Sequence, residues 1–322
     1  MPRAPSFWSH DGVLARVLSP LSEIGAGLTA RRVARPGWRA PVPVICCGNV
    51  TVGGAGKTTL VLDLAHRLVR RGRTVHVLLR GYGGSSRGVH RVATDDPAAL
   101  SGDEALLLAA VAPTWIGADR AATARAAIEA GADMLLMDDG LQNPTLHKTF
   151  SILVVDGGTG FGNGRVLPAG PLREPIVKAA ARCRAAVLIG PDRAGALSRL
   201  PPTLPVLRAE LRQDPAIGRL AGQTILAFAG IAIPEKFFGP LRRAGAVVAA
   251  MRPFPDHHRY TPQDLDWLQR RAAGLSATLV TTPKDAVRLP AAFRARVTVI
   301  GVGLAWERED QVEHLLNTAL SE

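Results

Sequence analysis

Residues 48–59, with the sequence Gly-Asn-Val-Thr-Val-Gly-Gly-Ala-Gly-Lys-Thr-Thr, have the composition of a phosphate-binding loop. Glycines let backbone amides turn towards a phosphate, and the N-terminus of a following helix adds partial positive charge. Lys57 can reach the β- and γ-phosphates of a nucleotide, and the Thr58 hydroxyl can bind Mg²⁺. Thr51 replaces the first glycine of the usual G-x-x-x-x-G-K-[ST] pattern. The residues expected to contact the nucleotide are Gly53, Gly54, Ala55, Gly56, Lys57, Thr58 and Thr59.

Two pairs of carboxylates suit a nucleotide site. Asp138 and Asp139 follow the apolar run 133–137, and a carboxylate at the tip of a buried strand often contacts magnesium, directly or through water. Asp103 and Glu104 open an apolar helical pattern. Acidic residues at a helix start are also ordinary caps, and Asp-Gly pairs also build plain turns. The purely structural interpretation therefore stays open for both pairs.

Further polar loops follow predicted strands. Such loops lie at strand carboxyl ends, where α/β sheets bind ligands. They are Arg80-Gly81-Tyr82-Gly83-Gly84, the rigid stretch 167–175 with Arg173 beside Glu174, Asp256-His257-His258, and Thr282-Pro283-Lys284-Asp285. Plain turns explain the first two equally well. An Asp-His-His run can bind a metal, relay a proton or form an ordinary polar loop. For the last we expect a simple strand-end turn.

The elements that position these residues alternate between strand and helix, which predicts a mostly parallel sheet. Strands are expected at 43–47, 74–79, 133–137, 151–156 and 185–189. A second α/β pattern begins near Gln223, with strands at 224–228, 246–250, 277–281 and 297–300 and helices at 234–243, 262–273 and 308–320. We expect an α/β protein with a P-loop NTPase-like, mostly parallel sheet domain in residues 1–220 and a second, smaller α/β domain in residues 221–322.

Composition limits the class of protein. The 322 residues are 47% hydrophobic and 20% charged, which is typical of a globular chain with a substantial core. No stretch has the roughly 18 consecutive apolar residues of a membrane-spanning helix, and none resembles a signal peptide. The three cysteines lack metal-ligand spacing, which indicates a reducing cytoplasm. The net charge is +12, but the arginines are dispersed without interleaved aromatic residues, so we expect no binding of nucleic acid.

Residues 12–32 have a helical apolar pattern, and Arg31, Arg32, Arg35 and Arg39 follow its apolar positions. An apolar face beside a group of cations suits an anionic membrane surface. The alternative is a helix that packs on the protein's own core with a solvated basic tail.

Taken together, these segments resemble the tetraacyldisaccharide 4'-kinases, which phosphorylate a lipid A precursor on the cytoplasmic face of the bacterial inner membrane. The resemblance covers nearly the whole chain. It rests on seven segments in one order, namely 48–58, 80–84, 102–104, 138–142, 167–175, 254–260 and 281–289. The sequence departs from the family pattern at Asn143, where a histidine is usual, and at Ile24-Gly25-Ala26-Gly27, where a bulkier stretch is expected.

The resemblance implies ATP and Mg²⁺ as cofactors and transfer of phosphate to the 4'-hydroxyl of tetraacyldisaccharide 1-phosphate. It nominates Asp103 as the base, assisted by His257 from the other domain, with Lys57 as the third catalytic residue. The implied magnesium ligands are Thr58, Glu104, Asp138, Asp139 and Glu174, and Arg120 and Arg173 are candidates for binding phosphate oxygens. We also expect a monomer that contacts the membrane peripherally.

Three other functions compete with this interpretation. A P-loop switch ATPase or GTPase is the first, but Thr282-Pro283-Lys284-Asp285 is not the Asn-Lys-x-Asp of guanine recognition, and Val52 occupies the position of the extra lysine of dimerising ATPases. The second is a metallophosphoesterase built on Asp256-His257-His258. The third is a basic membrane- or nucleic-acid-binding module with vestigial nucleotide binding.

Overall fold

The computed structural model describes residues 5–321, so the predicted domain limits at residues 1 and 322 lie outside it. The helices are α1 (Val13–Val33), α2 (Lys57–Arg70), α3 (Ala98–Ser101), α4 (Asp103–Ala109), α5 (Arg120–Glu129), α6 (Ile176–Ala180), α7 (Glu235–Arg243), α8 (Pro262–Gly274), α9 (Pro283–Ala286), α10 (Ala291–Arg294) and α11 (Glu309–Ser321). The strands are β1 (Val44–Gly48), β2 (Val75–Leu79), β3 (His90–Arg91), β4 (Thr114–Ile116), β5 (Met134–Asp138), β6 (Phe150–Asp156), β7 (Ala185–Ile189), β8 (Val206–Gln213), β9 (Thr224–Ala229), β10 (Val247–Pro253), β11 (Thr278–Thr281), β12 (Thr298–Val299) and β13 (Val302–Trp306).

The larger sheet has the strand order β13-β8-β7-β6-β1-β5-β2-β4-β3. Its strands are parallel except at the edges, where β3 pairs antiparallel with β4 and β13 with β8. Strands β1, β2, β5 and β7 are buried along their whole length, because helices cover both faces of a parallel sheet and leave no strand face for water. The predicted α/β class with a mostly parallel sheet is confirmed.

The smaller sheet has the order β10-β9-β11-β12, with every pairing parallel. Phe237 and Leu241 of α7 pack on one side of β9, and Leu268 of α8 packs on the other. Helix α8 begins with a capping box in which Thr261 and Asp264 bond each other's backbone amides, as expected from the Thr-Pro start.

The chain beyond residue 301 returns to the larger sheet, which differs from the predicted division at 221–322. Strand β13 pairs with β8, and Val312 of α11 lies in the core that contains Leu64 of α2. Arg67 of α2 also forms ion pairs of 2.7–2.8 Å with Glu309 and Glu313. The smaller unit therefore contains β9–β12, while the final strand and helix complete the larger one. Strand–helix alternation could not predict this, because it does not tell which sheet a strand joins.

Helix α1 presents an apolar stripe to solvent. Six apolar side chains are between 51% and 78% exposed: Val13, Leu14, Val17, Leu21, Ile24 and Leu28. The opposite side is held by buried Ser22, whose hydroxyl donates to the Val166 carbonyl at 2.6 Å and accepts from the Ala169 amide at 3.1 Å. Within residues 5–321, no helix is both long and apolar enough to cross a bilayer.

Candidate functional site

The phosphate loop connects β1 to α2 at the carboxyl edge of the larger sheet. Helix α2 begins at Lys57, and Gly56 before it has φ +77°, a left-handed conformation that favours glycine. A Cβ on Gly56 would also lie 2.7 Å from Cδ1 of Ile189. The positive φ is what favours glycine here, since the Ile189 side chain could shift, and the loop leaves the first amides of α2 directed outwards, as phosphate binding requires.

Lys57 is held by two neighbours from the carboxyl ends of adjacent strands. Its Nζ donates to Oδ1 of Asn49 at 3.0 Å and lies 3.7 Å from the Asp139 carboxylate. Asn49 is fully buried and donates in turn to the Thr51 hydroxyl at 3.0 Å. Thr51, at the place of the usual first glycine, therefore helps to orient the lysine. We did not predict the role of Asn49, although its position in the glycine-rich loop is a signal for it.

Asp138 is the buried acid of the site. Its Oδ2 accepts a hydrogen bond from the Thr58 hydroxyl at 3.1 Å, while its Oδ1 is buried without a hydrogen-bond partner. Burial raises the pKa of Asp138 to about 6, against the opposing charge of Lys57 and with added repulsion from Asp139. A buried carboxylate oxygen without a partner is costly, and a cation beside it would remove that cost.

The donor set of Thr58 and Asp138 fits Mg²⁺. Among the described residues, no group of three or more His, Cys, Asp or Glu side chains could bind a metal by itself. Magnesium at nucleotide sites needs no such group, because it takes most ligands from phosphates and water and only one or two from the protein. The unpaired Oδ1 of Asp138 supplies the observation that supports this fit.

Asp139 forms the second anchor of the site. Its two oxygens accept hydrogen bonds from one guanidinium nitrogen of Arg173 at 2.9 and 3.0 Å. Its backbone has φ +53°, which is strained for a residue other than glycine and is seen most often at functional sites. Asp139 and Arg173 are thus brought together beside Lys57, while their roles as a magnesium ligand and a phosphate-binding group stay predictions.

Glu174 lies close to this group but is already neutralised. Both of its oxygens accept from Arg182 at 2.8 Å, and one also accepts from Gln142 at 2.9 Å. Its side chain is only 4% exposed. A role for Glu174 as a magnesium ligand therefore stays a prediction, and it requires Arg182 to move away.

Asp103 and His257 meet across the two domains. The Nδ1 of His257 contacts Oδ2 of Asp103 at 2.7 Å, and Arg288 donates to the same oxygen. Since an ionised carboxylate has no proton, Nδ1 must donate, and in the neutral imidazole this leaves Nε2 as an acceptor. Burial raises the pKa of Asp103, but the hydrogen bonds and charges of Arg288 and His257 outweigh burial and leave it below its ordinary value. His257 has φ +58°, the same strained region as Asp139.

Glu104 also faces a cation from the smaller domain. Its carboxylate accepts from Nζ of Lys284 at 2.8 Å. The segment 282–285 is therefore more than the plain turn expected from sequence, since Lys284 and Arg288 bind the adjacent acids Glu104 and Asp103. The signal in the sequence was the resemblance of residues 281–289 to the family, which gave no partner for either cation.

Two other predicted residues have mainly structural contacts. His258 bonds Asp264 at 3.0 Å and stacks on Phe254 with ring centroids 4.6 Å apart, which gives no support to a metal site on Asp256-His257-His258. Arg120 is 2% exposed and donates to the Gly117 carbonyl, and burial lowers its pKa to about 10. Phosphate binding by Arg120 therefore stays a prediction and needs a change in its surroundings.

The profile of the family described as "Tetraacyldisaccharide-1-P 4'-kinase" (LpxK) matches residues 14–321. The chain belongs to this family. Among curated members, the tetraacyldisaccharide 4'-kinase of Gluconacetobacter diazotrophicus is 58% identical over 98% of this chain and 97% of its own length. The tetraacyldisaccharide 4'-kinase of Gluconobacter oxydans is 53% identical over 99% of this chain and 98% of its own length.

Solved structures of the family lead to the same result. A crystal structure of LpxK from Aquifex aeolicus in complex with ATP is 26% identical to this chain, with a TM-score of 0.74. It covers 96% of this chain and 100% of its own. The resemblance noted from seven short segments is thus confirmed along the full length, and the P-loop kinase fold with it.

Proposed function

We propose that this member of the family transfers the γ-phosphoryl group of ATP to the 4'-hydroxyl of tetraacyldisaccharide 1-phosphate, a step of lipid A synthesis. The observation that carries the proposal is the Asp103–His257 pair. In this pair a carboxylate from the larger domain and an imidazole from the smaller one lie side by side, which suits a proton acceptor that is oriented by a histidine. The family match over residues 14–321 favours this kinase activity over a switch ATPase.

Lys57 and the loop amides bind the phosphates and balance the charge that spreads over the γ-phosphoryl oxygens during transfer. Thr58 and Asp138 would hold Mg²⁺, which supplies charge neutralisation and alignment of the phosphates when bound. Asp139 fixes Lys57 on one side and Arg173 on the other, so it keeps both cations at the nucleotide. Glu104 would become available to Mg²⁺ when Lys284 releases its carboxylate.

The proton of the sugar hydroxyl must leave as its oxygen bonds to phosphorus. Both partners of Asp103 contact Oδ2, and within residues 5–321 no hydrogen bond to Oδ1 is present. Oδ1 is therefore the oxygen that takes the proton, while the bond from phosphorus to the bridging oxygen of ADP breaks. A depressed pKa makes Asp103 a weak base, but phosphoryl transfer has a loose transition state in which position matters more than base strength.

Helix α1 is the proposed contact with the membrane. Its apolar stripe is exposed over six residues, and Arg31 and Arg32 lie in its last turn. Apolar insertion combined with attraction to anionic headgroups is how interfacial helices bind. This would keep the protein peripherally on the cytoplasmic face of the inner membrane, where a lipid-borne acceptor can reach the site.

The test of the function is direct. The protein is incubated with ATP labelled at the γ-phosphate, Mg²⁺ and tetraacyldisaccharide 1-phosphate, and lipid-bound label is measured. The control acceptor is the same lipid already phosphorylated at the 4'-position. Label on the first lipid alone supports the kinase, whereas release of phosphate without any lipid dependence supports the switch ATPase and refutes the proposal.

A further inference from the structure

Arg288 is a buried cation that joins the two domains at the Asp103–His257 pair. It follows α9 in the smaller domain, and its side chain is only 4% exposed. One terminal nitrogen donates to Oδ2 of Asp103 and lies 3.4 Å from Nδ1 of His257. Arg288 therefore contacts both members of the pair, although it is 185 residues from Asp103 in the chain.

The other terminal nitrogen of Arg288 is anchored within its own domain. It donates to the Gly230 carbonyl at 2.9 Å and to Oδ1 of Asp285 at 3.2 Å. Asp285 is fully buried and also accepts from the Gly230 amide at 2.9 Å, the Tyr260 hydroxyl at 2.8 Å and the Thr282 hydroxyl at 2.6 Å. With so many directional bonds, Asp285 has one available position. It is a rigid support for the guanidinium.

Burial decides how Arg288 can act. At 4% exposure the Arg288 side chain is almost wholly covered by protein, and its Nε is buried without a hydrogen-bond partner. Direct contact with a phosphate or a sugar would require the two domains to separate at this point. Arg288 must therefore influence the reaction through Asp103 and His257.

The planar fork of an arginine suits this position. One nitrogen reaches Asp103 while the other reaches Asp285 and the Gly230 carbonyl, and a compact lysine ammonium cannot span all three. The carboxylate of Asp103 can rotate about its side-chain torsions. Without Arg288, only the single hydrogen bond from His257 would limit this rotation. A second donor on the same oxygen fixes the plane of the carboxylate and hence the direction of Oδ1.

We propose that Arg288 is a positioning residue for phosphoryl transfer, which holds the Asp103 carboxylate against His257 from a fixed support on Asp285. The inference rests on the proposed function, because it assigns Asp103 as the acceptor of the hydroxyl proton. It adds that the smaller domain contributes a second side chain, Arg288, which orients the Asp103 carboxylate in addition to the imidazole of His257.

The test compares Arg288→Ala and Arg288→Lys with Arg296→Ala, which removes an exposed arginine of the same domain. Misplacement of a catalytic group by about 1 Å costs on the order of 10²-fold in rate. We expect Arg288→Ala to lose about 10²-fold in kcat, with KM for ATP within about threefold of wild type. Guanidinium at non-denaturing concentration should restore part of the rate. Arg288→Lys should be intermediate, and Arg296→Ala should match wild type.

A second measurement does not depend on transfer. Nitrogen and proton NMR of the His257 imidazole report whether Nδ1–H is hydrogen-bonded to Asp103. The bonded signal should be present in wild type and Arg296→Ala, and weakened or lost in Arg288→Ala. If wild type shows no transfer to lipid, the proposed function fails, while this signal still tests whether Arg288 holds the Asp103 carboxylate against His257. Should Arg288→Ala not fold, Arg288→Lys is measured in the same two assays.

Three results would overturn the inference. They are wild-type kcat in Arg288→Ala, a loss confined to KM for ATP, and an unchanged His257 signal in a folded Arg288 variant. A loss in kcat that guanidinium restores, in an Arg288 variant that is folded at the assay temperature, supports it.

Discussion

Replacing Asp138 with asparagine should make the nucleotide-free protein more stable while it abolishes its function. Asp138 is buried, and one of its oxygens has no hydrogen-bond partner. Asparagine has nearly the same shape and can still accept from the Thr58 hydroxyl, but it carries no charge. The substitution therefore removes the penalty of a buried charge and keeps the packing.

The size of the effect follows from the pKa. Burial raises it from 3.8 to about 6, and two units correspond to about 3 kcal/mol against the ionised form. An unpaired buried amide costs about 1 kcal/mol of this gain. The free energy of unfolding should thus rise by about 1–2 kcal/mol at pH 8, which corresponds to an increase of roughly 1–3 °C in Tm for a chain of this size.

The direction in which the free energy of unfolding changes with pH follows from how tightly the folded and unfolded states bind the Asp138 proton. The pKa of Asp138 is higher in the folded than in the unfolded protein, so at pH values between the two the folded state binds the proton more tightly. The free energy of unfolding of the wild type therefore falls as pH rises from about 4 to 6. The advantage of Asp138→Asn over wild type should therefore grow from about pH 4 to about pH 6 and stay constant above it, whereas below about pH 4 only the small cost of the unpaired amide remains.

The assay is thermal and denaturant unfolding at several pH values in buffer without nucleotide or magnesium. The exposed Asp95 provides the control, and Asp95→Asn should leave stability unchanged. Adding Mg²⁺ and ATP should raise the Tm of wild type but not of Asp138→Asn. A variant less stable than wild type at pH 8, or an advantage of the variant at pH 4 as large as at pH 8, would refute the argument from burial.

Two further predictions concern the proton and the membrane. Asp103→Ala should lose turnover while it still binds ATP, and near wild-type turnover would show that the base is another group. His257→Ala should lose about 10²–10⁴-fold in kcat with little change in nucleotide affinity. Steady-state kinetics measure the turnover of both variants, and titration with nucleotide measures their affinity for ATP. Replacing Val17 and Leu21 together with aspartate should reduce sedimentation with anionic liposomes without changing ATP binding, and equal sedimentation of wild type and variant would contradict the role of α1.

The phosphate loop and the strand-tip acids were predictable because their signals are local. Lys57 and Thr58 follow a glycine turn directly, and Asp138 ends an apolar run, so spacing along the chain also fixes their position in space. In a parallel sheet, carboxyl ends of neighbouring strands meet at one edge. The pairing of β1 with β5 therefore brings these residues together once the order of strands is given.

The contacts between domains were not predictable from the same kind of signal. Lys284 and Glu104 are 180 residues apart, and nothing near either of them specifies the other. The engagement of Glu174 by Arg182 also depends on where α6 ends, which local pattern leaves open. Position in the family's motifs nominated Asp103 and His257 together, but only the fold shows that Arg288 completes the contact.

The return of the chain to the larger sheet has a consequence for biosynthesis. During translation, β13 and α11 are made after the whole smaller domain, so the core around Leu64 and Val312 cannot close until they emerge. The nucleotide-binding half therefore waits for strand β13, which begins about ninety positions after its pairing partner β8 ends. A nascent chain that stops before residue 302 would contain every residue proposed for catalysis, yet leave one edge of strand β8 unpaired and the apolar side of α2 exposed, which marks it for chaperones and proteases rather than for activity.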